Sequence, residues 1–381
     1  MSTIRWQPVT SHLDNDTPGT LVLGSPGSGK TFFMLNMCAN ALGMGQRVII
    51  IDPKNDFDKL LNVNPNIKVI NFRDIKQGQL NPLEFLKRID PKTKEIEYLE
   101  PGSLLTIIEI MTGTIPDEAK VVIAGIVEDF VNDVARNGKY VDMSDVATYL
   151  TKNPNTAVQN VGTTLKMHKK SKFGKLMFTD MDYVEPLQLS LTDSMVLILD
   201  CLELPSSDTK PEDYTQEQRF TAAILYVLTK KLFEILRQDS VIPTVFVCDE
   251  AHLLFSNNDM SKVIDDFLRL GRSLNTATVL ASQGISSFPK SIYNAISTKF
   301  LFKSSINEAQ AFFEAFDTAS LGGSNIAVNS IIAAAIKFPT GTCFMMDRKH
   351  RNGIIRIISN YDHNLLTSNP LDKIRKDGEG E

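Results

Sequence analysis

Cysteine is scarce in this chain. The four present, Cys38, Cys201, Cys248 and Cys343, lie far apart in 381 residues, with no CxxC spacing. That excludes a disulfide framework and a cysteine zinc site, and it fits a reducing compartment. A positive charge excess is also missing. The formal net charge is −5 and the sequence pI is about 5.7, unlike a domain that grips nucleic acid over a wide surface, although a local basic patch is compatible with these values. Long apolar runs are absent too. Stretches such as residues 196–199 and 331–336 fall far short of the ~20 residues that span a bilayer, and MSTIRWQPVT does not read as a signal peptide. There is no internal repeat and no low-complexity segment. A soluble chain is expected, one that can still dock on a membrane complex.

What is present is material for a large core, since 43% of the residues are hydrophobic. Residues 1–18 hold few core formers and read as a lead-in, and the polar residues 366–381 read as a disordered tail. From residue 20 a β-prone run feeds a glycine loop. A helical apolar pattern follows over 30–42, and a buried-strand run over 47–51. Residues 68–72 read as a further strand. Between about 95 and 175 the β signal fades, and four amphipathic helices are expected at 104–111, 118–135, 145–150 and 157–168, with Ser144 and Asn155 as caps of the last two. Strand runs resume at 195–200, 244–247, 277–281, 299–302, 343–346 and 354–358, with helices at 220–236 and 262–270. The expected fold class is α/β: a mostly parallel sheet covered by helices, with an all-α insertion. The boundaries are a discontinuous core over 19–92 and 179–365, and an insertion over 93–178.

Gly24-Ser25-Pro26-Gly27-Ser28-Gly29-Lys30-Thr31 matches GxxxxGK[ST] in full. Backbone N–H groups wrap a phosphate only where no Cβ intervenes, which explains the glycines, and the following helix aims its N-terminus at the anion. Lys30 then reaches the β- and γ-phosphates and the Thr31 hydroxyl ligates Mg²⁺. Residues 24–31, with Phe32 beside them, are the candidate ATP-binding set. Val245-Phe246-Val247-Cys248-Asp249-Glu250 delivers two carboxylates at the end of a buried strand, with Asp249 to hold Mg²⁺ and Glu250 to orient the attacking water. Cys248 reads as core. Asp249-Glu250-Ala251-His252 also spells a helicase box, but the Ser-Ala-Thr element and paired arginine motif of a second motor domain are missing. His252 is either a residue near the site or a packing histidine. Gln283, at the end of the 276–281 strand, is either a contact to the γ-phosphate or its water, or a turn cap. Arg269 and Arg272, just before that strand, read either singly as part of a solvated basic face or as a charge-neutralising finger for a neighbouring subunit. Arg348, Lys349 and Arg351 form a second basic cluster between two strands.

Taken with Ile51-Asp52-Pro53-Lys54, Leu80-Asn81-Pro82-Leu83, Ile198-Leu199-Asp200, the GRSLNTATVLASQ run and GTCFMMDRKHRNG, the order of motifs resembles the carboxy-terminal motor domain of the conjugative-transfer ATPases of type IV secretion systems, within the HerA/FtsK superfamily. The resemblance covers about residues 20–360. It implies a RecA-like P-loop core that binds ATP and Mg²⁺, with Lys30, Thr31, Asp249, Glu250 and Gln283 in the roles above. Arg272 and Arg351 fall where the family carries charge-sensing arginines. It further implies a homo-oligomer, as a hexamer, on the cytoplasmic face of the cell membrane. Its partners would be channel components of the inner membrane, with weak DNA contact, and a DNA-pumping coupling protein is the alternative. Two features depart from the pattern: His252 stands where an aromatic is frequent, and the large amino-terminal domain of such proteins is not in this sequence.

Overall fold

The computed structural model describes residues 18–89, 96–97, 99–179, 181–206, 209–255, 258–316, 325–347, 351–359, 361 and 366. Residues 1–17, nearly all of the expected lead-in, and the expected tail apart from Leu366 lie outside that set. So do Arg348 and Lys349.

The strands are β1 (Gly19–Leu23), β2 (Arg47–Asp52), β3 (Lys68–Asn71), β4 (Arg88–Ile89), β5 (Ile96–Glu97), β6 (Met195–Ile198), β7 (Thr244–Cys248), β8 (Thr276–Ser282), β9 (Ile296–Phe302), β10 (Thr342–Asp347) and β11 (Asn352–Arg356). Nine of them form one sheet in the order β11-β10-β9-β1-β8-β7-β2-β6-β3. From β9 to β3 every pairing is parallel, whereas β10 runs antiparallel to both β9 and β11. The helices are α1 (Lys30–Gly43), α2 (Pro82–Phe85), α3 (Pro101–Thr112), α4 (Asp117–Asn137), α5 (Met143–Thr151), α6 (Thr156–His168), α7 (Gln216–Gln238), α8 (Asn258–Leu270), α9 (Ile306–Ala315) and α10 (Asn325–Ala335).

Both faces of the strands between the two edges are buried, and the strands from β9 to β6 are accordingly buried along their whole length, whereas the edge strands β3 and β11 are partly exposed. The period of two still sorts the side chains. Leu21, Leu23, Ile49, Ile51, Phe246 and Leu280 join one core, while Val22, Val48, Ile50, Val245, Val247 and Val279 join the other beneath Phe33, Met34, Met37 and Cys38 of α1. The first core runs without a break into α3–α7, so the helices between β5 and β6 share it with the sheet. That region also contains β5, paired with β4.

One cap differs from the expected one. Asn155 caps α6 through its side chain, as anticipated, but α5 is capped by Asp142 rather than Ser144. The Asp142 carboxylate accepts from Ser144 N at 2.7 Å and Asp145 N at 3.3 Å, and it also accepts the Thr179 N–H. The Asp145 carboxylate in turn accepts the Asp142 N–H at 3.0 Å, closing a capping box, and Asp142 has the extended backbone an N-cap needs. Asp142 thereby fastens the start of α5 to the segment that leads back to the sheet. Asp142→Ala is expected to destabilise the fold by about 2 kcal/mol, against at most about 0.5 kcal/mol for Ser144→Ala, in denaturant melts. Equal losses would contradict the cap assignment.

Candidate functional site

Strand β1 ends at Leu23, opposite Ser282 of β8 and Leu301 of β9, so the loop that follows emerges between two neighbours at the carboxyl edge of the parallel strands. Gly24 N donates to Ser282 O at 3.3 Å and Ser25 N to Lys303 O at 2.7 Å, which ties the loop to both. Gly27 and Gly29 have φ of 71° and 102°, left-handed values that disfavour any side chain. A Cβ on Gly29 would lie 2.8 Å from Gly341 N. The loop's outer side is held by the start of β10, where Gly341 N donates to Ser28 O at 3.0 Å and the Thr340 hydroxyl to Gly27 O at 3.3 Å. Helix α1 then begins with neither a side-chain cap nor an acidic residue in its first turn. Its N-terminal dipole is therefore not offset by its own cap or first turn. Lys30 Nζ folds back onto Gly24 O at 2.5 Å and Ser25 O at 3.2 Å, and the Ser28 hydroxyl is buried without a partner. Donors parked on their own loop, an orphaned hydroxyl and an open helix end all fit a phosphate chain. Thr31 follows Lys30 in the first turn, half-buried, while Phe32 packs partly buried against the core under α1.

The acidic pair ends β7, two strands from β1, with β8 between them. Asp249 and Glu250 are 3% and 7% exposed. Glu250 has φ of 52°, a strained value for a residue with a side chain, and its N–H donates to Asp249 Oδ1 at 3.0 Å. Burial, with the neighbouring Glu250 charge adding to it, pushes the Asp249 carboxyl up to about 6. Burial works the same way on Glu250, but His252 and an ion pair with Lys54 outweigh it and hold this carboxyl down at about 2. Lys54 Nζ contacts Glu250 Oε1 directly. His252 Nδ1 stands 3.4 Å from Oε2, a polar approach rather than an aligned hydrogen bond, since both atoms lack a hydrogen-bond partner. Burial pulls the Lys30 ammonium below its ordinary value, against the attraction of Asp249 and Glu250 and with repulsion from Lys54. The two lysines and two carboxylates form one electrostatic unit.

Gln283 directly follows β8, exposed, on the edge between the glycine loop and the acidic pair. The arginines are elsewhere. Arg272 lies exposed in the turn before β8, where Gly271 packs on Pro18 ahead of β1. That is the amino edge of the parallel strands, and the 7 residues of β8, about 20 Å, separate it from Gln283. Arg269 precedes it and pairs with Asp265 at 2.9 Å. Arg351 closes the hairpin after Asp347, which is opposite Thr298 near the start of β9, and its Nε bonds the Asp347 carboxylate at 2.6 Å. Arg269 and Arg272 were read as lying just before a strand and Arg351 between two strands, where a neighbouring subunit could use them. The antiparallel turn of β10 and the direction of β8 carry them to the opposite edge, beyond reach of their own chain's loop.

Residues to which the motifs assigned no role complete the site. Asp52, fully buried at the end of β2, accepts from the backbone N–H of Lys54, Asp56 and Phe57 at 3.2, 3.2 and 2.9 Å, and so shapes the turn that delivers Lys54. Thr340 and Gly341 brace the loop. The available signal was a cation two residues past a buried strand. Cys248 is buried in the core, as read.

A glycine loop at the carboxyl edge of a parallel sheet, opening a helix and facing an acidic pair two strands away, defines a P-loop NTPase fold. The chain belongs to the AAA-like domain family, whose model matches residues 10–367. It is 24% identical over 285 residues to the uncharacterized protein YddE of Bacillus subtilis (strain 168), covering 70% of this chain and 33% of YddE, so it spans about a third of that relative. The fold is similar to that of VirB4 of Thermoanaerobacter pseudethanolicus, with a TM-score of 0.69 at 16% identity over 90% of this chain and 89% of that one. It is also similar to the bacterial conjugative coupling protein TrwBdeltaN70, with a TM-score of 0.55 at 11% identity over 90% and 85%.

The raised Asp249 carboxyl has a thermodynamic consequence. An acid held above its ordinary 3.8 in the fold favours the folded state while protonated, an advantage present below about pH 4 and lost as pH rises through about 6. At pH 7.5 the buried charge therefore costs stability. Asp249→Asn is expected to raise the stability of nucleotide-free protein by on the order of 1–3 kcal/mol at pH 7.5, and by little at pH 4. Melting temperatures at both pH values check it, and a loss at pH 7.5 would contradict it.

Proposed function

We propose that the chain is an ATP-hydrolysing motor of a conjugation or type IV secretion system, working with Mg²⁺ at this site. The observation that carries the reading is the shared sheet edge. The glycine loop, Gln283 and the Asp249–Glu250 pair line it within a fold that matches VirB4 along nearly its whole length. Lys30 exchanges its own loop's carbonyls for the β- and γ-phosphates, while N–H groups at the start of α1 hold the rest of the chain. Thr31 and Asp249 would hold Mg²⁺, whose charge offsets that of the phosphates. Glu250 orients and polarises the attacking water, and Gln283 contacts that water or the γ-phosphate. Residues 19–92 and 179–365 act as the motor core around the 93–178 insertion.

The unit is a homo-oligomer, as a hexamer, on the cytoplasmic face of the membrane beside channel components. With Arg272 and Arg351 remote from their own loop, either serves a neighbouring subunit's site. A DNA-pumping coupling protein is the second reading. A net charge of −5 and the higher TM-score to VirB4 than to TrwBdeltaN70 favour the first. No helix among the described residues is long and apolar enough to cross a membrane.

Lys30→Ala is expected to lose ATP binding and turnover together. Glu250→Gln should keep ATP-Mg²⁺ binding while turnover falls by about 10²-fold or more. Equilibrium binding beside single-turnover hydrolysis checks both, and parallel loss in Glu250→Gln would make that residue structural. Strong stimulation by duplex DNA at physiological salt would favour the coupling-protein reading. Mixing Lys30→Ala with Arg272→Ala should restore part of the activity, because some interfaces then pair an intact loop with an intact arginine. Recovery with Arg351→Ala or Arg269→Ala instead would reassign the finger, and recovery with no mixture would defeat the shared site.

A further inference from the structure

Resting on the reading of this site as an ATPase, we propose that Lys54 is a positioning residue for Glu250, fastening one carboxylate oxygen so that the other is presented to the attacking water. The geometry is asymmetric. Oε1 is held by the Lys54 ammonium. Oε2 is buried and has no hydrogen-bond partner, with His252 Nδ1 only approaching it at 3.4 Å. A buried carboxylate oxygen left unsatisfied on the same sheet edge as a phosphate-binding loop is an open acceptor, and a water hydrogen bond is what it lacks.

The arrangement is built rather than incidental. Strands β2 and β7 are adjacent and in register, with Ile51 opposite Cys248. The two chain segments therefore leave the sheet side by side, and Asp249 N donates to Ile51 O at 3.3 Å. Each then enters a left-handed turn, at Asn55 with φ of 58° and at Glu250 with φ of 52°. Two strained turns that face each other across an ion pair persist only when the surroundings fix them. On one side that support is Asp52, whose buried carboxylate accepts three backbone N–H groups of the turn carrying Lys54. An ion pair between two exposed side chains would need no such foundation. Lys54 is half exposed, but its partner is not. With the like-charged Asp249 next to it, Glu250 has an electrostatic reason to turn away if the lysine is removed.

The test uses the full chain with Lys54→Met, Lys54→Arg, Glu250→Gln and the Lys54→Met/Glu250→Gln double variant. Lys54→Met is expected to lower kcat by about tenfold or more, as a displaced water-orienting group does, with KM and equilibrium ATP-Mg²⁺ affinity unchanged. Lys54→Arg should recover most of kcat. In the Glu250→Gln background Lys54→Met should cost nothing further, because the lysine acts through that carboxylate. In nucleotide-free protein the double variant should melt above the sum of the two single losses. Wild-type kcat in Lys54→Met, loss of affinity in step with kcat, a full further loss in the Glu250→Gln background, or Lys54→Arg no better than Lys54→Met would each overturn the proposal. A wild-type chain that binds but never hydrolyses ATP would defeat the ATPase reading instead, and the melting comparison would still decide whether Lys54 and Glu250 are coupled.

Discussion

Two adjacent carboxylates buried at the end of β7 repel each other and resent their loss of water, so neither stays charged without cations nearby. Much of this protein can be understood as the supply of those cations. Lys54 comes from the end of the adjacent strand and lies against Glu250. Lys30 comes from two strands away, within the field of both acids. Asp249 keeps the smaller share of compensation and is the one pushed up to about 6. The nucleotide-free site is thus balanced inside the chain, with Lys54 paired to Glu250 and Lys30 resting on carbonyls of its own loop that a polyanion must replace.

The parallel arrangement makes this balance possible. Because β1, β8, β7 and β2 all run the same way, their following segments emerge on one edge, and residues remote in sequence meet there. Lys54 and Glu250 are separated by 196 positions. The same directionality sends whatever precedes a strand to the opposite edge, which is where Arg269 and Arg272 are found.

These two facts explain what could be read in advance. The glycine loop, the acidic pair and the strand runs are local patterns whose chemistry is written in consecutive residues, and they lie where their motifs put them. Lys54 could not be found that way. Its partner is set by strand order, which apolar runs do not encode, and Asp52 looks like any acid that ends a strand. Which edge of the sheet the arginines occupy was hidden for a related reason. A basic residue near a strand is visible in sequence, but which end of the sheet it occupies depends on strand direction, and for Arg351 on the reversal at β10. The α5 cap was a smaller ambiguity of the same kind, since Asp142 and Ser144 are both good caps by type and only backbone conformation separates them.

The brace between Gly341 and the glycine loop has a mechanical meaning. Gly29 leaves no room for a side chain against Gly341, Ser28 O receives the Gly341 N–H, and Gly341 O in turn accepts from Ile357 N at 2.8 Å, just past the outermost strand. On the inner side, the Tyr361 hydroxyl donates to Ala39 O in α1 at 2.8 Å. The nucleotide cradle is thus tied to the rim of the sheet through Gly341, and the helix behind it through Tyr361. If a neighbour or a load displaces that rim, the affinity for phosphate must change by the work done, and by reciprocity phosphate binding must push on the rim with the same free energy. Rim and cradle then behave as the two ends of one stiff lever.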